Sequence, residues 1–164
     1  VYAAGVFDMD ETDILMFGIG MNVAAGAGAF GLGWLDDRIG GKWTVVLSIV
    51  GVLIPGVALL LVQNATWFWV AGLTLGIFVG PIQASSRSYL ARVAPPDLRT
   101  QCFGLYALSG KATAFAGPLL VFALTAATDN QRIGMIPIFV FLTLGLLLML
   151  AVPSEKRVAP DRPA

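Results

Sequence analysis

Five long apolar stretches divide this sequence, and short polar connectors separate them. They run over residues 13–35, 43–62, 67–91, 101–125 and 133–152. The connectors read DDRIGGK, QNAT, RVAPPDLRT and AATDNQR. A helix rises about 1.5 Å per residue, so a stretch of about 20 apolar residues crosses a hydrocarbon core of about 30 Å. Runs of this length are too long for strands, and in lipid only helices or closed barrels satisfy the backbone. The pattern therefore predicts an all-α, polytopic transmembrane bundle over residues 1–152, with neighbouring helices antiparallel. Residues 153–164, PSEKRVAPDRPA, are polar and proline-rich and read as a disordered tail.

The stretches differ in where polar residues interrupt them. The second and fifth hold almost none, only Thr44, Ser48 and Thr143, and suit lipid-facing positions. The first, third and fourth carry Asn22, Gln83, Ser85, Ser86, Tyr106, Ser109 and Lys111. Polar groups at membrane depth face a bundle interior or a wet cavity. Small residues recur every fourth position, as Gly20, Ala24 and Gly28 and as Gly72, Gly76 and Gly80. Such stripes let helix backbones approach closely.

Composition supports this picture. The 164 residues are 57% hydrophobic and 12% charged, about half the charged share of a soluble domain. Ten basic and ten acidic residues give a formal net charge of zero, which speaks against nucleic acid as a partner. The sequence has no histidine and a single cysteine, Cys102, so no metal site or cofactor is expected and an intrachain disulfide is excluded. The opening at Val1, inside an apolar stretch, reads as a fragment that begins at the end of an earlier helix.

Basic residues set the orientation. Arg38 and Lys42, Arg92 and Arg99, and Lys156, Arg157 and Arg162 lie on alternate connectors and the tail, against Arg132 alone on the opposite side. The positive-inside bias then makes the first connector, the third connector and the C-terminus cytoplasmic. Asp8, Asp10, Glu11 and Asp13 face outward.

Several motifs of soluble enzymes fail on context. VFDMDET imitates a phosphatase nucleophile loop, but a membrane-length helix follows at once. GAGAFG fits G-x-G-x-x-G, yet it lies late in an apolar helix rather than after a strand. GLYALSGKA has one residue too many between its glycines for a P-loop, and Ala112 stands where the magnesium ligand belongs. Asn64-Ala65-Thr66 is a formal glycosylation sequon in a connector too short and too near the membrane to be used.

The first connector carries more. GWLDDRIGGK resembles the loop signature of the major facilitator superfamily, G-x-x-x-D-R-x-G-R-K, through Gly33, Asp37, Arg38, Gly40 and Lys42. Gly41 departs from it, where the family prefers a basic residue. On physical grounds Gly33 permits close packing at the helix end, and Gly40 and Gly41 a tight turn. Asp37 can pair with a cation or helix N-terminus, while Arg38 and Lys42 meet anionic headgroups. The resemblance implies a loop that latches the two halves of a transporter. Three further helices and a polar tail follow, which fits the C-terminal half.

Residues 83–118, QASSRSYLARVAPPDLRTQCFGLYALSGKATAFAGP, resemble a narrower branch, the unknown-major-facilitator transporters related to the fungal vacuolar amino-acid effluxer. The shared pattern is Q-x-x-S-R-S, A-R, a proline, F-G-x-Y, S-G-K and G-P. The resemblance implies a permease for small solutes, possessing a second half and working by alternating access in a bacterial inner or plasma membrane. Membrane lipids, the missing N-terminal half and a small-molecule substrate are the implied partners, and no enzymatic bond chemistry is implied. A non-transporting scaffold, whose glycine stripes bind partner helices, is the alternative; an upstream six-helix half with its own G-x-x-x-D-R loop would decide against it.

Lys111 lies about ten residues, hence about 15 Å, into the fourth helix. A lysine near the midplane costs about 3 kcal/mol on insertion scales and needs a partner or water. The partner is either an anionic group of a substrate or an acidic residue of the missing half; a tolerated lysine beside lipid is a third reading. Substrate-binding candidates are Lys111, Asn22, Gln83, Ser109 and Tyr106. Gating candidates are Asp37, Arg38, Lys42, Arg87 and Ser86, with headgroup contact the competing role for Arg87. Gly117-Pro118 is expected to bend the fourth helix.

Overall fold

The computed structural model describes residues 10–62 and 64–154, and all regular structure among them is helical. The helices are α1 (Glu11–Ile39), α2 (Gly41–Leu61), α3 (Ala65–Val93), α4 (Arg99–Thr128), the short α5 (Gln131–Gly134) and α6 (Ile136–Ala151), with a 3-10 turn at Pro96–Leu98 before α4. Counting α5 and α6 together, and the 3-10 turn with α4, the described residues hold five helices long and apolar enough to cross a membrane. The expected end of an earlier helix at residues 1–7, Asp8, and the tail beyond Ser154 lie outside the described residues.

Helix ends follow local chemistry. Asp10 caps α1, its side chain accepting from Asp13 N at 2.8 Å. Asn64 accepts from Thr66 N at 2.9 Å at the start of α3, so the sequon asparagine serves the helix. Asn130 accepts from Arg132 N and Ile133 N and caps α5, directly after Asp129 closes α4 in the left-handed conformation. α4 continues through Pro118 to Thr128 without interruption.

The chain forms two compact units, Val1–Ser86 and Arg87–Ala164. In the first, the two small-residue stripes meet. A Cβ on Gly28 of α1 would be driven into the Ile77 carbonyl of α3, and one on Gly80 of α3 into the Ala25 carbonyl of α1. A Cβ on Gly76 would stand 3.0 Å from the Met21 carbonyl. At one end of this crossing, the Phe17 ring occupies the space over Gly72, with ring centroids 5.1 Å from Phe68 and 5.2 Å from Trp69. Lipid tails are as apolar as leucine, so close packing of this kind, rather than removal of apolar surface from water, holds such helices together.

α2 departs from expectation. Its lack of polar residues suits lipid, yet it carries the first unit's buried face: Thr44, Val45, Ser48, Ile49, Val52, Pro55 and Gly56, at helical spacing. Thr44 and Ser48 are fully buried. Their hydroxyls donate to the carbonyls of Gly40 and Thr44, at 3.1 and 2.7 Å, so burial leaves neither donor unmet. A helix apolar on every side suits a protein core as well as lipid. Because both hydroxyls bond only their own helix, Ser48→Ala is expected to shift thermal stability little, by about 1 kcal/mol or less, as thermal denaturation of the purified protein would read.

In the second unit α4 packs with α5 and α6. Gly134 of α5 lies so close to Thr125 of α4 that a Cβ would overlap the threonine side chain. α6 leaves most of its large apolar side chains exposed, in keeping with the lipid-facing expectation for the fifth stretch.

Candidate functional site

The α1–α2 turn carries the first set of candidate residues. Gly40 adopts φ 88°, ψ 156°, a region that side-chain-bearing residues reach only under strain. The glycine of the signature is thus a backbone requirement. Gly41 is already helical and buried at the start of α2. Gly33 differs from expectation: a Cβ there would meet nothing within 4 Å among the described residues, so close packing does not explain it. Gly40→Ala is expected to cost about 1–3 kcal/mol and to lower the melting temperature, whereas the same change at Gly33 is not.

The charges at this turn also sort differently from the sequence reading. Arg38 is exposed, its guanidinium 3.8 Å from the centre of the Trp34 ring one turn earlier. Lys42, expected among headgroups, is buried at 8% exposure, with its ammonium 5.7 Å from the Trp43 ring. Asp37 is exposed, and Asp36 is the buried carboxylate. Asp36 lies eight residues, about two turns, beyond Gly28, the other buried residue of α1, whereas the loop signature marks its neighbour Asp37.

Asn22 lies eleven residues into α1, which begins at Glu11, on an exposed face away from the stripe that meets α3. Its Nδ2 donates to Gly18 O at 2.8 Å, and its Oδ1 is an acceptor. Gln83 is exposed ten residues before the end of α3 at Val93, and its backbone carbonyl accepts from Ser86 Oγ at 3.1 Å. Ser85 between them is buried. These residues belong to the first unit, and Arg87, exposed, to the second.

α4 holds Tyr106, Ser109 and Lys111. No residue of α4 is fully buried, but Phe103, Tyr106, Gly117, Val121 and Leu124 are half-buried and fall on one stripe at helical spacing. Lys111 is exposed and off that stripe. Each residue turns the helix by about 100°, so Lys111 points about 160° away from Ser109 and about 140° from Tyr106. The helix thus divides the three candidates between two faces. Ser109 Oγ donates to Tyr106 O at 2.8 Å, and Thr113 Oγ1 to Ser109 O at 2.9 Å, so these hydroxyl donors are engaged by their own helix. Lys111, by contrast, carries three donors and no acceptor at the end of a long flexible stem. Cβ atoms on Gly104, Gly110 and Gly117 would meet nothing within 4 Å among the described residues. Among the described residues no cluster of potential metal ligands occurs.

Comparison with known proteins follows the same line. The sequence matches the family described as “Vacuole effluxer Atg22 like” over residues 1–159. It is 28% identical over 123 residues to the “Uncharacterized MFS-type transporter YxiO” of Bacillus subtilis, covering 75% of this chain and 29% of that protein. It is 26% identical over 178 residues to “Autophagy-related protein 22” of Cryptococcus neoformans, covering 99% of this chain and 30% of that protein. “Autophagy-related protein 22-2” of Emericella nidulans is 33% identical over 91 residues, 56% of this chain and 14% of that protein. No solved structure matches the chain. The chain spans 29 to 30% of the length of the first two relatives.

Proposed function

We propose, from the premise that this chain belongs to the vacuole effluxer Atg22-like family of membrane transporters, that it forms the C-terminal half of a secondary transporter for small solutes. The substrates in this reading are amino acids or other small anionic or zwitterionic metabolites. Two helix bundles rock about a site near the bilayer midplane, and the partner of this half is the N-terminal half of the same protein. The C-terminus is cytoplasmic.

Lys111 carries the reading. It lies twelve residues beyond Arg99, the start of α4, about 18 Å along a helix that crosses about 30 Å of hydrocarbon. A cation at that depth has to meet an anion or water. The proposed substrate-binding groups are the Lys111 ammonium, which draws a carboxylate or similar anion, the Asn22 Oδ1, which accepts from a substrate donor, and Gln83. Tyr106 and Ser109, on the packed and hydroxyl-bearing sides of α4, serve the helix rather than the pathway. Asp37, Arg38, Lys42, Ser86 and Arg87 form the proposed gating set at the cytoplasmic ends of their helices. Asn22 and Gln83 cannot themselves replace the charge of Lys111, so recognition of an anion depends on it.

The test is uptake by full-length protein reconstituted in proteoliposomes, using a labelled amino-acid panel extended with small organic acids. The reading expects saturable accumulation of at least one member above protein-free vesicles. Correctly inserted protein that moves none of them would refute it.

A further inference from the structure

Tyr89 belongs to the block QASSRSYLAR, yet the transport reading gives it no role. Its ring is buried near the end of α3, and its hydroxyl donates a 2.7 Å hydrogen bond to the carbonyl oxygen of Pro153. Both residues belong to the second unit, 64 positions apart in sequence.

The reason for this bond begins at the end of α6. The last helical bond there runs from Val152 N to Leu148 O at 3.2 Å. Pro153 follows, with no N–H and a ring that opposes continuation of the helix. Its carbonyl therefore lies beyond the helical ladder, where no intrahelical amide can serve it. Tyr89 is the buried partner and Pro153 the exposed one, so the bond gives the phenol of a buried ring an acceptor, and a buried donor left unmet costs more than a made bond contributes. Tyrosine suits the task, since a rigid apolar ring packs while the one polar tip reaches out.

We propose that Tyr89 is a clasp holding the root of the C-terminal tail to the end of α3, so that residues 87–93 and 148–154 open and close as one cooperative piece. Arg87 and Arg92 stand on the same segment of α3. An agent that binds the tail therefore acts on the arginine-bearing end of α3, and movement of that end acts on the tail, because coupling between two sites is reciprocal. This device concerns the second unit alone and does not require the substrate assignment.

The test is Tyr89→Phe in the full-length protein, a change that keeps the ring and removes only the donor. Hydrogen exchange read by mass spectrometry is expected to quicken about two- to tenfold in both 87–93 and 148–154, the loss of one net hydrogen bond, with α2 unchanged. Unchanged exchange in both segments, faster exchange in one alone, or equal quickening in α2 would each overturn the clasp.

Discussion

Gly28→Leu is expected to yield almost no folded transporter, while Gly33→Ala, five residues along the same helix, melts like the unaltered protein. The contrast follows from what each new side chain meets. At Gly28 it meets the Ile77 carbonyl of α3, which is backbone. Overpacking against side chains costs about 1–3 kcal/mol because rotamers yield. A carbonyl bonded within its own helix yields only if α1 and α3 separate, so the expected loss exceeds about 4 kcal/mol. At Gly33 the new methyl group meets nothing within 4 Å, and alanine is the better helix former. Gly76→Ala falls between them, since its Cβ would stand 3.0 Å from the Met21 carbonyl. The measure is the monodisperse fraction and apparent melting temperature of fluorescently tagged full-length protein. Near-normal melting of Gly28→Leu would show that α1 and α3 do not cross at this point.

That crossing was legible in sequence because glycines at four-residue spacing have a geometric meaning whatever surrounds them. The five spans were legible for a similar reason: length and continuity of apolar residues are read without knowing the fold. Which face of each span is covered was not legible where the span is apolar all round. α2 shows this, since the absence of polar residues suggested lipid when the helix is the most buried of the five. Thr44 and Ser48 gave no contrary signal, because their hydroxyls bond their own backbone. On α4 the opposite holds: closeness in sequence groups Tyr106, Ser109 and Lys111 as one site, although a two-residue step from Ser109 to Lys111 crosses the helix. The loop signature marks Asp37 while Asp36 is the buried carboxylate, because the signature fixes a position by pattern whereas burial follows the packing of the helix. Tyr89 could not be paired with Pro153 from sequence, since nothing local in either residue marks a contact 64 positions apart.

Lys111→Met is expected to insert as well as or better than the unaltered protein, since at the proposed depth removing the charge relieves about 3 kcal/mol of insertion cost, and yet to transport poorly. A hydrogen bond to a charged group contributes about 1.5–3 kcal/mol, so the expected rise in the concentration for half-maximal uptake is about 10- to 150-fold. Lys111→Arg keeps the charge but replaces a compact ammonium with a planar fork, and is expected to recover part of the loss. The measurement is concentration-dependent uptake in proteoliposomes, with inserted protein quantified in the same vesicles. Two companions separate the possible partners of the lysine. If the anion belongs to the substrate, Lys111→Met weakens uptake of anionic members of a panel more than neutral ones and leaves the melting temperature intact. If it is an acidic residue of the other half, melting falls as well, and neutralising that acid restores both. Ser109→Ala and Tyr106→Phe probe the other faces of α4 and are expected to change half-maximal uptake by less than about threefold. Wild-type uptake by Lys111→Met would remove the lysine from the pathway. A loss in Ser109→Ala equal to that in Lys111→Met would show that α4 presents its hydroxyl face to the substrate.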